Sequence, residues 1–452
     1  MTDDSRRAVI LGAGLTGLTA AVSLRRRGVP VTVLESGPRA GGPVASEESD
    51  GFLVERGPNS MMTGEPEVLQ FLADIGLADE MIAPLAKKRF LVSRGHPQAL
   101  PQSFFAALTT PLFSFGGKLR VLREPFVPQV AADDESLASF VRRRLGPEIL
   151  ARAVEPFVAG IYAGDPEMLS ARQAFPRLWN LEHAHGSLLR GALRAHGGLR
   201  PRAFSFKGGM GSLPDKMASI LGGDLHCGSR VRSIAREGRS WLVEWSDGVA
   251  SHQVCAAKLI CAVPAFVAAS LPWPDEIRPA LVGLEAVPYP PVTIVALGFR
   301  RADVAHALDG FGMLVPSAER RKILGTIFSS SLFPGRAPED RVILTTFVGG
   351  ARQPSIAQME DGPLEQAVVS DLADLVGVRG EPVFRRIIRW PRAIPQYNLG
   401  HERIIRALEK LEAASPGLHL VGNYRGGIAA GQCIHNGLRF AETLTNFNPN
   451  KP

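Results

Sequence analysis

Residues 7 to 42, RAVILGAGLTGLTAAVSLRRRGVPVTVLESGPRAGG, restrict the fold more than any other stretch of the chain. An apolar run, Ala8 to Leu11, reads as a buried first strand. Gly12, Gly14 and Gly17 follow at G-x-G-x-x-G spacing, Leu18 to Arg27 reads as a helix, and a second apolar run, Val31 to Leu34, ends in Glu35. Gly12 permits a tight turn, Gly14 lets a pyrophosphate approach the backbone, and Gly17 lets the helix pack closely on the sheet. The helix N-terminus then offers unpaired N–H groups to phosphates. Glu35 is placed to accept hydrogen bonds from a ribose, and its charge repels a 2′-phosphate. A glycine-rich turn alone says little. Strand, glycines, helix, strand and terminal acid in this order predict an α/β dinucleotide-binding unit.

With 452 residues the chain has room for two or three domains with sizeable cores. The net charge of +7 permits attraction to anionic lipid or an acidic substrate. Basic residues are scattered without an interleaved aromatic patch, so nucleic acid is not an expected partner. Cys227, Cys255, Cys261 and Cys433 lack metal spacing and read as reduced thiols of a cytoplasmic protein. The longest chargeless stretch, Gly95 to Gly117, contains Pro97, Pro101, Pro111 and Gly116, which would break a spanning helix. Within it Phe104, Phe105, Leu108, Leu112, Phe113 and Phe115 precede Lys118, Arg120 and Arg123. That pattern suits a segment lying in a membrane interface, on the cytoplasmic face of an inner membrane. It suits equally a helical subdomain that buries the phenylalanines.

Three regions read as pieces of one Rossmann-like cofactor domain: 1–85, 205–265 and 386–446. The middle piece carries Trp241 to Trp245 (WLVEW) and the last carries Leu418 to Asn423 (LHLVGN) before a glycine-rich turn and a final helix. Residues 86–100 and 266–385 read as a sheet domain with one face lining a cavity, its strands at Thr293 to Phe299, Phe311 to Val315, Gly325 to Phe328 and Val342 to Val348. Residues 101–204 read as a mostly helical domain. Leu137, Phe140, Val141 and Leu145 share one helical face, and Ile149, Leu150, Ala153, Val154, Phe157 and Ile161 share another. The expected fold class is therefore α/β with α+β insertions.

No G-x-S-x-G, H-E-x-x-H or C-x-x-C occurs, and the histidines are dispersed. His183 and His185 splay apart on a helix. Neither a protein nucleophile nor a metal site is expected, so a bound cofactor must carry the chemistry.

Arg39, Gly41 and Gly42 follow Glu35, and Gly57-Pro58-Asn59-Ser60 comes soon after. This tail resembles the extended FAD motif of the flavin amine oxidase and phytoene desaturase superfamily. Further segments resemble one family within it, the oxygen-dependent protoporphyrinogen oxidases. These are KRF (88–90), AGIYAGDPEMLS (159–170), GFGMLVP (310–316), LGTIFSS (324–330), FPGRAP (333–338), TTFVGGARQP (345–354), RWP (389–391), IPQYNLGH (394–401) and LVGNYRGGIAAGQCIHNG (420–437). The resemblance spans almost the whole chain in the family's order.

The resemblance implies noncovalent FAD held by Gly12, Ala13, Gly14, Leu15, Thr16, Gly17, Glu35, Ser36, Arg39, Gly41, Gly42, Gly57, Pro58, Asn59, Ser60, Val231, Trp390, Ile428, Ala429 and Ala430. It implies that Arg89 pairs with a propionate, that Leu314 and Ile327 sandwich one pyrrole, that Phe347 stacks on another, and that Gly160 brings a carbonyl to the substrate. Without it Arg89 reads as a surface cation and Leu314, Ile327 and Phe347 as core. The implied reaction is oxidation of a porphyrinogen in three two-electron steps, with O2 reduced to H2O2. The further partners it implies are a lipid surface, a ferrochelatase receiving the product, and a second copy of the chain. Two departures stand out: Pro43 follows the paired glycines, and alanines fill the last glycine turn. Cys433 lies beyond that turn, away from where relatives attach FAD covalently. The alternatives are coproporphyrinogen III oxidation and, in another class, a flavin- or tetrapyrrole-binding protein without turnover.

Overall fold

The computed structural model describes residues 6–101, 109–130, 133–194 and 201–446. Five parallel strands form the first sheet, in the order Leu225–Cys227, Val31–Glu35, Ala8–Leu11, Lys258–Cys261, Leu418–Leu420. The central strand is apolar throughout because both its faces are covered. Ala8 and Ile10 point to the side packed by helices Leu15–Arg26 and Ala430–Asn446, and Val9 and Leu11 to the opposite side. There the WLVEW run forms the strand Ser240–Ser246 of a separate three-stranded antiparallel sheet, its Trp241, Val243 and Trp245 buried in alternation.

The second sheet has seven mixed strands, in the order Phe384–Trp390, Val292–Arg300, Arg341–Gly349, Ile323–Ile327, Gly310–Leu314, Lys88–Ser93, His96–Ala99. Helix Asp361–Val376 covers one face, packing Leu364, Val368 and Leu372 against a core that includes Phe90, Val295, Met313 and Leu344. Residues 386–390, expected in the cofactor domain, instead belong to this sheet. They pair antiparallel with its second strand, Val292 opposite Trp390 and Ala296 opposite Arg386.

The helical region is built around Leu137, Phe140, Val141, Val158, Tyr162 and Trp179. Arg144 is fully buried there and is neutralised by Glu124 and Glu182, the arrangement that a buried guanidinium requires. The second predicted helical face is not continuous. Pro147–Ile149 runs into a π-turn at Leu150–Val154 before helix Glu155–Tyr162. The wider turn rotates that last helix, so Leu150 is buried while Phe157 and Ile161 are exposed.

Phe104, Phe105 and Leu108 lie outside the described residues. Of their apolar neighbours, Leu112 is buried and Phe113 half-buried, so these two do not share an exposed face with Phe115. The exposed apolar stripe is instead Phe115, Leu119 and Leu122 on helix Phe115–Leu122, with Phe126 beyond it. No helix among the described residues is long and apolar enough to cross a membrane.

Two buried ionisable side chains pin the hairpin Ser46–Ser49/Phe52–Glu55 and the loop that carries Arg336 to residues 205–210. Arg336 donates to the carbonyls of Phe206 and Lys207 and to Ser205 Oγ. Glu55 accepts from Ser46 Oγ and the Met210 amide. Burial pushes the Glu55 carboxyl from an ordinary 4.5 up to about 7, against the opposing pull of those hydrogen bonds and of Arg336. A raised carboxyl pKa means the folded chain still holds a proton where the unfolded chain has lost it. Stability is therefore expected to fall as pH rises from about 4.5 to about 7, by roughly 2–3 kcal/mol from this group. Glu55→Gln should flatten that part of the profile in denaturant titrations, and an unchanged slope would assign it elsewhere.

Candidate functional site

At the end of the first strand the backbone turns at Gly12, with φ +98°. A Cβ on Gly17 would lie 2.1 Å from Gly12 O, so helix Leu15–Arg26 sits as close to the loop as glycine allows. A Cβ on Gly14 would meet nothing within 4 Å, and the same holds for Gly42. Both glycines border open space, Gly14 at the helix N-terminus, where it supplies no side-chain cap, and Gly42 in the following loop. Ala13, Leu15 and Thr16 are buried around them. Uncapped first-turn N–H groups facing open space suit a pyrophosphate.

Glu35 ends the second strand and is fixed by the amides of Ala13 (2.8 Å) and Gly37 (2.7 Å). Exposed Ser36 follows it. Ser229 N donates to Glu35 O, which places the half-buried Val231 two residues beyond the contact with Glu35. Arg39, implied on the pyrophosphate, donates instead to the carbonyls of Ala40, Gly42 and Val44, and so shapes the loop. Gly41 N donates to Ala13 O, tying that loop to the first turn. Pro43 O lies 2.4 Å from where a Cβ of Gly57 would stand, so the loop packs directly on the segment Gly57, Pro58, Asn59, Ser60.

That segment leads to the second sheet. Buried Asn59 accepts from Ser329 Oγ at 3.3 Å, and Ser329 bonds Thr345 at 2.8 Å. Trp390 donates its indole N–H to Arg56 O and packs in one cluster with Phe347. On the far side, Gly431 packs against Met62 O, just beyond that segment, and is preceded in the chain by exposed Ala429 and half-buried Ala430. Ile428 is half-buried against the helical core.

The strand register decides which side chains face this region. Gly312 pairs with Ile327 and Leu314 with Gly325; Gly325 in turn pairs with Phe347, and Leu91 with Leu314. Leu314, Ile327 and Phe347 therefore share one face, and Arg89 joins it by alternation with Leu91. It is the face opposite the covering helix. All three apolar residues are half-buried within largely buried strands, as residues lining a cavity would be. Helix Glu155–Tyr162 closes over this face at Gly160, where a Cβ would meet Leu314 Cδ2 at 2.4 Å. Arg89 is exposed, its guanidinium 5.5 Å from the Phe311 ring, and it pairs with no carboxylate among the described residues. Arg89, Leu314, Ile327 and Phe347 thus lie along one face of the sheet, with Gly160 on the helix over it. Glu65, Glu67 and His435 also meet at the surface, but His435 is paired with Glu67 and Arg177 with Glu65.

Known proteins resemble this chain in sequence and in fold. The family model for flavin-containing amine oxidoreductases matches residues 15–445. The chain belongs to that family. Protoporphyrinogen oxidase 2 of Arabidopsis thaliana is 34% identical over 98% of this chain and 94% of its own length. Coproporphyrinogen III oxidase of Bacillus subtilis (strain 168) is 29% identical over 97% of each. Among solved structures, a protein from Exiguobacterium sp. 255-15 named as a candidate protoporphyrinogen oxidase superimposes with a TM-score of 0.81 at 26% identity, covering 97% of this chain and 98% of that one. Reduced UDP-galactopyranose mutase shares the fold, with a TM-score of 0.75 at 15% identity over 98% of this chain and 96% of that one. Membership implies FAD, and the open cradle at Gly14 and Gly42 fits it.

Sequence reading missed Gln396, Tyr397 and His401. Their motif was visible, but their hydrogen-bond partners lie in other segments.

Proposed function

We propose that the chain oxidises protoporphyrinogen IX to protoporphyrin IX with noncovalent FAD and O2. The observation that carries this reading is the shared face of Leu314, Ile327 and Phe347, with the exposed Arg89 guanidinium, unpaired with any carboxylate among the described residues, at its edge. Apolar walls hold a flat macrocycle and exclude water, and one fixed cation sets which edge enters. FAD, when bound, supplies two-electron oxidation of a bridge carbon and returns to its oxidised form with O2, releasing H2O2. The substrate gains aromaticity as it loses electrons, so no strong protein base is needed. Cys433 favours noncovalent attachment: burial pushes its thiol up to about 11, leaving little thiolate.

Coproporphyrinogen III is the second reading, because the B. subtilis enzyme aligns over the full chain. It carries four propionates where protoporphyrinogen carries two. Lys88, next to Arg89 in the strand, faces the other side of the sheet by alternation and is paired there with Asp309, so it adds no second cation to this face, which favours the substrate with fewer carboxylates. The purified chain should be yellow, release FAD on denaturation, and oxidise protoporphyrinogen with the higher kcat/KM when both substrates are compared. Faster turnover of coproporphyrinogen would reverse the assignment. A colourless protein that cannot be reconstituted with FAD would remove it.

Membrane docking belongs to the same reading, through the exposed stripe Phe115, Leu119, Leu122 and Phe126. Each inserted phenylalanine contributes on the order of 1–2 kcal/mol, and each nearby cation about 1 kcal/mol on anionic lipid. Flotation with anionic liposomes at low salt should recover the chain, and Phe115→Ser with Phe126→Ser should release it. A wild-type chain that ignores such liposomes ends the membrane reading.

A further inference from the structure

Two of the most distinctive sequence motifs, AGIYAGDPEMLS and IPQYNLGH, dock on one another. Gln396 Nε2 donates to Tyr162 O at 2.8 Å, Ser170 N to Tyr397 O at 2.8 Å, and Leu399 N to Met168 O at 2.9 Å. Leu169 and Asn398 form an isolated antiparallel bridge between them. The first motif contains the end of the helix that brings Gly160 against Leu314.

The second motif also grips the glycine turn that leads into the C-terminal helix. Tyr397, only 3% exposed, donates its hydroxyl to Asn423 O at 2.6 Å and accepts from Gly427 N at 3.0 Å. One hydroxyl thus spans the two ends of the turn and fixes its width. The Tyr397 ring stacks on His401, with centroids 4.5 Å apart and planes 14° apart. His401 Nε2 in turn bonds Tyr424 O at 2.8 Å. Gly426 and Gly427 take φ +79° and +125°, so the turn has little conformational preference of its own and depends on these side chains.

We propose that Tyr397 and His401 are positioning residues that lock the turn 422–427 to the helix Glu155–Tyr162. They thereby set the place of Ile428, Ala429 and Ala430 relative to the substrate face. This rests on the reading of those three residues as flavin contacts. The unit acts as a spacer: one end is the helix lying over Leu314, the other the turn beside the cofactor. A spacer governs the approach of the two reactants, so its loss should lower turnover more than substrate affinity.

The test is Tyr397→Phe in the full-length holoenzyme. It removes both hydroxyl contacts and leaves a buried amide and carbonyl unpaired. FAD affinity, measured by fluorescence titration of the apoprotein, is expected to weaken about tenfold. kcat should fall by a similar factor while KM stays within about twofold. Trp241→Phe, which removes the buried indole bond to Pro416 O, should lower the melting temperature without moving FAD affinity. His401→Gln, which can still donate to Tyr424 O, should keep most of the affinity that His401→Leu loses. Native FAD affinity and kcat in Tyr397→Phe would overturn the proposal. If that variant does not fold, amide exchange of the native holoenzyme decides: slow exchange over 422–430 is expected, and exchange at the unprotected rate overturns it. If the chain oxidises neither porphyrinogen, the functional reading fails, whereas FAD affinity and amide exchange still decide the role of Tyr397.

Discussion

Arg89→Ala is expected to raise the KM for the porphyrinogen about tenfold or more while FAD content and melting temperature stay at native values. The guanidinium is exposed over Phe311 and pairs with no carboxylate among the described residues, so removing it disturbs no contact needed for folding. An exposed substitution of this kind usually changes stability by no more than about 0.5 kcal/mol. A charge-assisted bond to a propionate contributes roughly 1.5–3 kcal/mol, which corresponds to about a 10- to 100-fold change in affinity. Arg89→Lys keeps the charge but loses the planar fork, and should fall between alanine and the native residue. An unchanged KM in the alanine variant would make Arg89 a surface cation. A loss of FAD would show instead that it supports the fold.

The cofactor half of this molecule was legible in the sequence because its geometry is local. Gly12, Gly14, Gly17 and Glu35 lie within one strand–helix–strand unit, and their spacing follows from the turn and the helix they build. The face proposed for the substrate was not legible from pattern alone. Leu314, Ile327 and Phe347 sit in largely buried strands, and nothing in an apolar run marks which residue is left half-buried. Register shifts between Gly310 and Met313 and between Ile323 and Gly325 also break simple alternation, so counting residues in twos puts side chains on the wrong face. The resemblance named these residues, and cross-strand pairing explains why they meet.

Other differences have the same origin in long-range structure. Residues 386–390 became an edge strand because Val292–Arg300 offered them a ladder, which their own sequence does not announce. The π-turn at Leu150–Val154 exposed Phe157 and Ile161, which a uniform helical period would have buried. Arg39, implied by resemblance among the residues that hold FAD, donates to three nearby carbonyls and so holds its own loop in shape. Tyr397 lies 26 residues from Asn423 and 30 from Gly427, too far in sequence for any spacing rule to connect them.

Gly14→Ala and Gly17→Ala should both leave the protein without FAD, by different routes. A methyl at Gly17 would stand 2.1 Å from Gly12 O and 3.1 Å from Ala262 Cβ. Its first neighbour is backbone, which cannot swing aside, so the helix must move away from the sheet. Overpacking of this kind costs about 1–3 kcal/mol or more, and the apoprotein itself should melt earlier. At Gly14 the backbone has φ −71° and ψ 174°, which any residue adopts, and a methyl would meet no protein atom within 4 Å. The apoprotein should therefore fold normally, even gaining up to about 1 kcal/mol from a less flexible unfolded chain. The new methyl would occupy the open space beside the uncapped helix N-terminus, where the pyrophosphate must come within contact of the backbone. FAD affinity should fall on the order of 100-fold, equivalent to about 2.7 kcal/mol. Thermal melts of the two apoproteins, paired with FAD titrations, separate the routes. Native FAD affinity in Gly14→Ala would mean that the pyrophosphate does not lie against this turn.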